Sequence, residues 1–353
     1  MNNYTNLGGG GKYPYIDALK GFAMLLVVMG HSIAWTFEDW HIINTYNGPS
    51  PSYLWHFIYK FHMPLFIFIS GLLFYNSSKK YTWGYFLKNL LRKGKGLLIP
   101  FFVVGPLLEL SRNIGEWFDY WYLIVLFQCI LINSFWEVIR PKFKYSLLTD
   151  VVFYLLVYNL INYVSAHANE ALESVFKLSY LRYYLYFSLG ILCHRYGWIV
   201  FIKKSNLCYT LSLAYYLIFF FGRELGIVPP SHYLLLVARA SMCFVCVYLF
   251  YNVFVKGKFV RLLQMIGKQS LQIYLIHFFF TFNVPLIGKF SCTLVDMGKL
   301  GILTNMFFQL VYSLIISALV ILICLLISRV IGESKILSPI LLGRKSVSKT
   351  AYL

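Results

Sequence analysis

From Tyr15 almost to the C-terminus, long apolar runs alternate with short polar, mostly basic breaks. A hydrocarbon core of ~30 Å asks for roughly 17 to 25 mostly apolar residues in helical form. Ten stretches meet or approach that length: residues 15–36, 54–75, 97–110, 117–136, 147–166, 181–196, 207–221, 233–255, 270–290 and 300–330. The pattern predicts an all-α, polytopic integral membrane protein with about ten transmembrane helices. The third stretch is short and holds Pro100 and Pro106, so it is expected to begin earlier or to be re-entrant. The last is long enough to tilt or to run past the membrane surface. Residues 1–14 then read as a flexible cytoplasmic leader, 15–331 as the transmembrane domain and 332–353 as a basic cytoplasmic tail.

The charges sort by side. Basic clusters fall at residues 79–95, 140–144, 195–204, 256–268 and 335–349, at every second break, while Glu38, Asp39, Glu116, Asp119, Glu170, Glu173, Glu224 and Asp296 collect in the breaks between. Cytoplasmic loops hold the excess of Lys and Arg, so this alternation predicts an even helix count with both termini in the cytoplasm. Only 12% of residues are charged and 59% are hydrophobic, against ~25% charged in a soluble domain, which excludes a soluble globule. The net charge of +18 does not indicate nucleic acid, because the cations alternate with apolar spans instead of lining one face. A basic inner surface suits membrane lipids or a phosphorylated cosubstrate. The cysteines sit mostly inside spans, which implies no disulfide framework. Cys243-x-x-Cys246 lacks the second ligand pair of a zinc site, so no metal is expected.

Several polar groups interrupt the apolar runs. Lys20 and His31 lie eleven residues apart on the first stretch, hence ~20° apart around a helix and ~16 Å along it. Ionisable groups inside a span are costly and mark functional paths, so this shared face is a site candidate. The second stretch carries Lys60 and His62 at the same expected depth as His31, then Pro64 and the small pair Ser70-Gly71. A loop expected before the third stretch supplies Arg92-Lys93-Gly94-Lys95, a cluster that holds phosphates or simply obeys the inside-positive bias. Ser270 is a candidate helix cap with His277 two turns beyond it. Arg239 suits either an anionic acceptor group or snorkelling to the surface. His41, His56, His167, His194 and His232 lie in loops or at span ends and have no particular role in this reading.

At four of these places the chain resembles acyltransferase family 3, the integral-membrane acyltransferases of cell-surface glycans, and especially its fucose 4-O-acetylase-like branch. The marks are Asp17-x-x-Lys20-Gly21 with Val27-Val28-x-Gly30-His31, Phe61-His62-Met63-Pro64-Leu65-Phe66 through Ser70-Gly71, Trp121-x-Leu123, and Ser270-Leu-x-Ile-Tyr274-Leu-x-His277. Lys20 stands where members typically have Arg, and the family's Arg-x-x-Arg appears as Arg92-x-x-Lys95. The resemblance implies an O-acyltransferase of the inner (plasma) membrane with no permanently bound cofactor. Acyl-CoA, acetyl in preference to succinyl, is the implied cosubstrate. A hydroxyl of a surface or capsular polysaccharide, or of its lipid-linked precursor, is the implied acceptor. Lys20, Arg92, Lys93 and Lys95 would then hold the coenzyme phosphates, with Ser70 also on the donor side and the pantetheine arm running along the Lys20–His31 face. His31 would be the general base or an acyl-carrying nucleophile, and His62 its catalytic companion. Lys60, Arg239 and His277 would bind acceptor. A glycan exporter or flippase, and a non-catalytic scaffold, are the competing classes; neither explains a buried histidine combined with a basic cluster.

Overall fold

A computed structural model describes residues 14–36, 52–76, 81–112, 120–143, 146–281 and 301–343, with isolated positions between 286 and 293. No strand occurs among the described residues. The helices are α1 (Pro14–Thr36), α2 (Tyr53–Tyr59), α3 (His62–Asn76), α4 (Trp83–Arg112), α5 (Trp121–Ile139), α6 (Leu147–His167), α7 (Glu170–Phe176), α8 (Leu178–Leu181) and α9 (Tyr184–Arg195). They continue with α10 (Trp198–Lys204), α11 (Asn206–Glu224), α12 (His232–Asn252), α13 (Lys258–Lys268), α14 (Ser270–Ile276), α15 (Ile302–Glu333) and α16 (Leu337–Leu342). Ser146, Asn169, Ser205 and Ser231 start α6, α7, α11 and α12 by accepting a backbone N–H of the first turn, as short polar side chains do at helix starts.

Among the described residues seven helical segments are long and apolar enough to cross a membrane, or eight if the bent segment from α8 to α10 counts as one. The protein is therefore an all-α polytopic membrane protein. Helix α11 covers the seventh expected stretch but is not among the seven, and the ninth stretch is described continuously only to Thr281. The expected leader lies almost wholly outside the described residues. Two local expectations need correction. Helix α4 begins at Trp83, so Arg92, Lys93 and Lys95 sit on a helix and not in a loop. Lys and Arg lower the hydropathy of the segment without lowering its helix propensity, so the apolar window starts later than the helix. Ser270 is not a cap: Gln269 holds that position with no side-chain capping bond, because α14 follows α13 after one residue whose N–H already bonds to Ile266 O.

The described residues divide into two compact units, one drawn from 13–66 with 200–326 and the other from 67–199 with 327–343. In the first unit α1 lies against α13. A Cβ at Gly21 would stand 1.8 Å from Leu263 O, and one at Gly267 1.8 Å from Asp17 O, so the two backbones touch where each helix has only hydrogen. Small residues permit such crossings between membrane helices. Alanine at either glycine is expected to lower the thermal midpoint of the purified protein, at a cost of about 1–3 kcal/mol for overpacking; an unchanged midpoint in both variants would refute the contact. Helix α13 turns Val260, Leu263 and Ile266 inward and leaves Lys258, Arg261 and Lys268 exposed beside Phe259, Leu262 and Met265. That distribution suits a helix lying at a membrane interface.

In the second unit the ends of α5, α6 and α9 meet on Asp150, which is fully buried. Its carboxylate accepts from Trp136 Nε1 at 2.9 Å, Arg140 Nε and Nη2 at 2.8 and 3.1 Å, Arg195 Nη1 at 2.7 Å and Tyr196 Oη at 2.7 Å. Arg195 also pairs with Glu137. In the same unit Gly71 of the Ser70-Gly71 pair abuts the Phe187 carbonyl of α9, which makes it a helix-packing position.

Candidate functional site

Helix α1 is unbroken from Pro14 to Thr36, so the helical spacing of Lys20 and His31 holds. His31 meets the short 3₁₀ turn His277–Phe280 that follows α14: its ring centroid lies 5.2 Å from that of His277 and 4.6 Å from Phe278. Tyr59 stands 6.3 Å from His31 and 4.6 Å from His62, centroid to centroid. Gly30 makes room for it, since a Cβ there would fall 2.5 Å from the Tyr59 ring. The first unit thus gathers His31, His62, His277 and Tyr59 from three separate segments.

Backbone bonds fix two of the imidazoles. His62 Nδ1 lies 2.9 Å from Ile58 O, and His277 Nδ1 lies 3.1 and 2.9 Å from Ile273 O and Tyr274 O. A carbonyl only accepts, so Nδ1 carries the hydrogen in both rings and Nε2 is the acceptor nitrogen of the neutral side chain. His277 is fully buried and His62 nearly so.

The break between α2 and α3 forms the neighbouring cleft. Pro64 has no N–H to give to Lys60 O four residues earlier, and Arg239 Nε donates to that carbonyl at 3.0 Å instead. Lys60 Nζ bonds Glu224 Oε1 at 2.8 Å and His56 Nδ1 bonds Glu224 Oε2 at 3.2 Å. Glu224 closes α11 beyond its apolar run; burial pushes its carboxyl up, but His56 and Lys60 outweigh that and hold it at about 2. A depressed carboxyl contributes its stabilisation fully above its unfolded value near 4.5 and loses it as the pH falls toward 2. The cleft encloses about 620 Å³, and Trp55, Tyr59, Arg223, Glu224, His232 and Arg239 are among its lining residues. Trp55 and Tyr59 stack with centroids 4.1 Å apart. Tyr59 therefore walls the cleft on one side and touches the histidines on the other.

Residues 13–329 match the family model of acyltransferase family 3, described as an acyltransferase domain. The chain belongs to acyltransferase family 3. It is, accordingly, a multi-pass membrane acyltransferase. Neither the curated proteins nor the solved structures gave a match.

The remaining residues expected to serve this acyltransferase are placed as follows. Lys20 pairs with Asp17 at 2.9 Å and is about one-quarter exposed. On the face between Lys20 and His31, Met24 and Val27 are 0% and 1% exposed, so the route expected for a donor arm is packed. An apolar stripe with the i, i+4, i+7 spacing of a core face fills it. On α4 of the second unit Arg92 and Lys95 are exposed and Lys93 is half-buried, and Arg92 Nη2 donates to Asn89 Oδ1 at 2.8 Å. Ser70 Oγ lies 3.2 Å from Tyr122 Oη. Lys60 and Arg239 both line the cleft, as acceptor-side groups would. Sequence reasoning passed over His56, Arg223, Glu224 and His232, together with the Trp55–Tyr59 wall. The paired i, i+4 spacings Trp55–Tyr59 and His56–Lys60, which put two adjacent stripes on one helical face, were the available signal.

Proposed function

We propose that this acyltransferase moves an acyl group, acetyl in preference to succinyl, from acyl-CoA to a hydroxyl of a cell-surface or capsular glycan or of its lipid-linked precursor. The observation that carries the proposal is the meeting of His31 and His277 beside Tyr59, the wall shared with the cleft. In this mechanism His31 takes the proton of the acceptor hydroxyl as its oxygen attacks the thioester carbonyl, a role suited to imidazole. Collapse of the tetrahedral intermediate breaks the carbon–sulfur bond, and the departing thiolate recovers the proton from His31, so the imidazole ends neutral. His277, held by its Nδ1–H, keeps Nε2 as an acceptor and acts as the positioning partner of His31. His62 in the same tautomer accepts a hydrogen bond, which suits orienting a hydroxyl better than holding an oxyanion. Lys60 is engaged by Glu224 and serves the cleft.

On the donor side the family resemblance offers Lys20 and, separately, Arg92, Lys93 and Lys95 as groups for the coenzyme phosphates and Ser70 as a further donor-side group, and the membrane is the inner (plasma) membrane. The likeness of the Lys20 and His31 motifs to the fucose 4-O-acetylase-like branch supports acetyl. Incubation of purified protein in lipid nanodiscs with labelled acetyl-CoA and surface polysaccharide should give labelled glycan and free thiol in equal amounts; no transfer from acetyl-CoA or succinyl-CoA would overturn the reading. The double variant Arg92→Ala/Lys95→Ala should raise the KM for acyl-CoA by about tenfold, the equivalent of ~1.4 kcal/mol. An unchanged KM would remove these residues from the donor site.

A further inference from the structure

Helix α15 is built inside out, and from its inner face we infer that Gln309 is a positioning residue for the acceptor cleft, holding the first turn of α2 and with it the Trp55–Tyr59 wall. The inference rests on the acyl-transfer reading for the assignment of the cleft to the acceptor. Leu303, Phe307, Leu314 and Ile315 of α15 are exposed, whereas Asn305, Gln309, Ser313 and Ser317 are all 0% exposed. These four recur at every fourth residue, so they drift only ~40° per step around the helix and form one polar stripe in an otherwise apolar span. Polar side chains inside a span hydrogen-bond across helices. Gln309 and Ser317 do so within the first unit. Leu54 N donates to Gln309 Oε1 at 3.0 Å, and Ser317 Oγ lies 3.4 Å from the Oγ of Ser32, the residue after His31. One helix face therefore reaches both the cleft wall and the helix that carries His31.

A helix begins with N–H groups that have no acceptor inside the helix. At α2 the cap position belongs to Ser52, whose side chain makes no capping bond. Gln309 supplies an acceptor for Leu54 N from 255 positions away. Its oxygen must face the donor, which fixes the orientation of the amide. The consequence is large because α2 is only seven residues long, too short to hold its own pitch and rotation as an isolated helix. Trp55 follows Leu54 directly and Tyr59 lies one turn beyond Trp55, so their stack at 4.1 Å rides on that first turn. Tyr59 in turn stands 6.3 Å from His31 and 4.6 Å from His62. Gln309 is not among the residues lining the cleft, so it acts on a bound acceptor only through α2.

The test follows labelled acetyl transfer by full-length protein in nanodiscs, with surface polysaccharide stripped of its esters by mild alkali as the acceptor. Gln309→Met keeps the length of the side chain but removes the oxygen. It should raise the KM for polysaccharide about tenfold, ~1.4 kcal/mol, while kcat stays within about twofold and the KM for acetyl-CoA is unchanged. Gln309→Glu restores an oxygen at the same reach and should bring the polysaccharide KM back toward the wild-type value. A packing role alone predicts the opposite order, since a buried apolar side chain is tolerated where a carboxylate is not. Gln309→Asn withdraws the oxygen by one methylene and should also raise the polysaccharide KM; melting temperatures are recorded for all three variants. If Gln309→Met yields no folded protein, the comparison of Gln309→Asn with Gln309→Glu decides. An unchanged polysaccharide KM in Gln309→Met and Gln309→Asn, an equal rise in Gln309→Met and Gln309→Glu, or a fall in kcat alone overturns the inference. No transfer by the wild-type protein from acetyl-CoA or succinyl-CoA defeats the acyl-transfer reading and the positioning role with it, whereas transfer with an unmoved polysaccharide KM defeats the positioning role alone.

Discussion

Replacing His31 with glutamine should reduce acyl transfer by ~10²–10⁴-fold, the usual worth of a positioned general base, while acyl-CoA still binds. Glutamine keeps an amide near the position of the imidazole but cannot take a proton at neutral pH. The packing around His31 is aromatic, with Tyr59, His277 and Phe278 at ring-stacking distances, so thermal unfolding of the variant should be followed beside activity. The mechanism predicts a fall in kcat with little change in the KM for donor. His277→Gln should show a smaller fall together with a shifted pH profile, because it acts through His31. Label transfer by the His31→Gln protein at the wild-type rate would remove His31 from the chemistry.

Asp150→Ala should be the most destabilising single change in the second unit. The carboxylate is wholly buried and accepts from four side chains. Breaking a buried ion pair by deleting one partner costs about 3–5 kcal/mol, a large share of the ~5–15 kcal/mol that holds a typical domain together. Arg140 and Arg195 would be left facing each other with Glu137 as the neighbouring acid. The expected readout is a large drop in folded yield and in the detergent-solubilised melting temperature, rescued in part by neutralising Arg140 in the same chain. A melting temperature equal to wild type would show that the network contributes nothing net.

The helical membrane architecture was legible in the sequence because apolar length is a local property, and the same holds for the spacing of Lys20 and His31 on α1. The start of α4 was not: Lys88, Arg92 and Lys95 dilute hydropathy while favouring helix, so the apolar window and the helix part company. The approach of His277 to His31 bridges 246 positions of sequence, and no periodicity encodes a contact of that range. The cleft was half legible. Lys60 and Arg239 stood out as charges in apolar runs, but His56 and His232 looked like ordinary loop histidines until α2 and α12 were seen to line the same space. The face between Lys20 and His31 is filled by Met24 and Val27, and helical spacing alone does not tell an apolar packing stripe from the wall of a donor route.

Gly21 precedes His31 by ten residues, and Gly267 precedes His277 by ten. The two strands of chain touch backbone to backbone at the glycines and ring to ring at the histidines, with equal residue counts between, like the legs of a pair of calipers closed on a pivot. A methyl added at Gly21, ten residues along α1 from His31, is therefore expected to disturb the pairing of the two imidazoles as well as the helix crossing, and the two effects part in a measurement of activity beside one of stability.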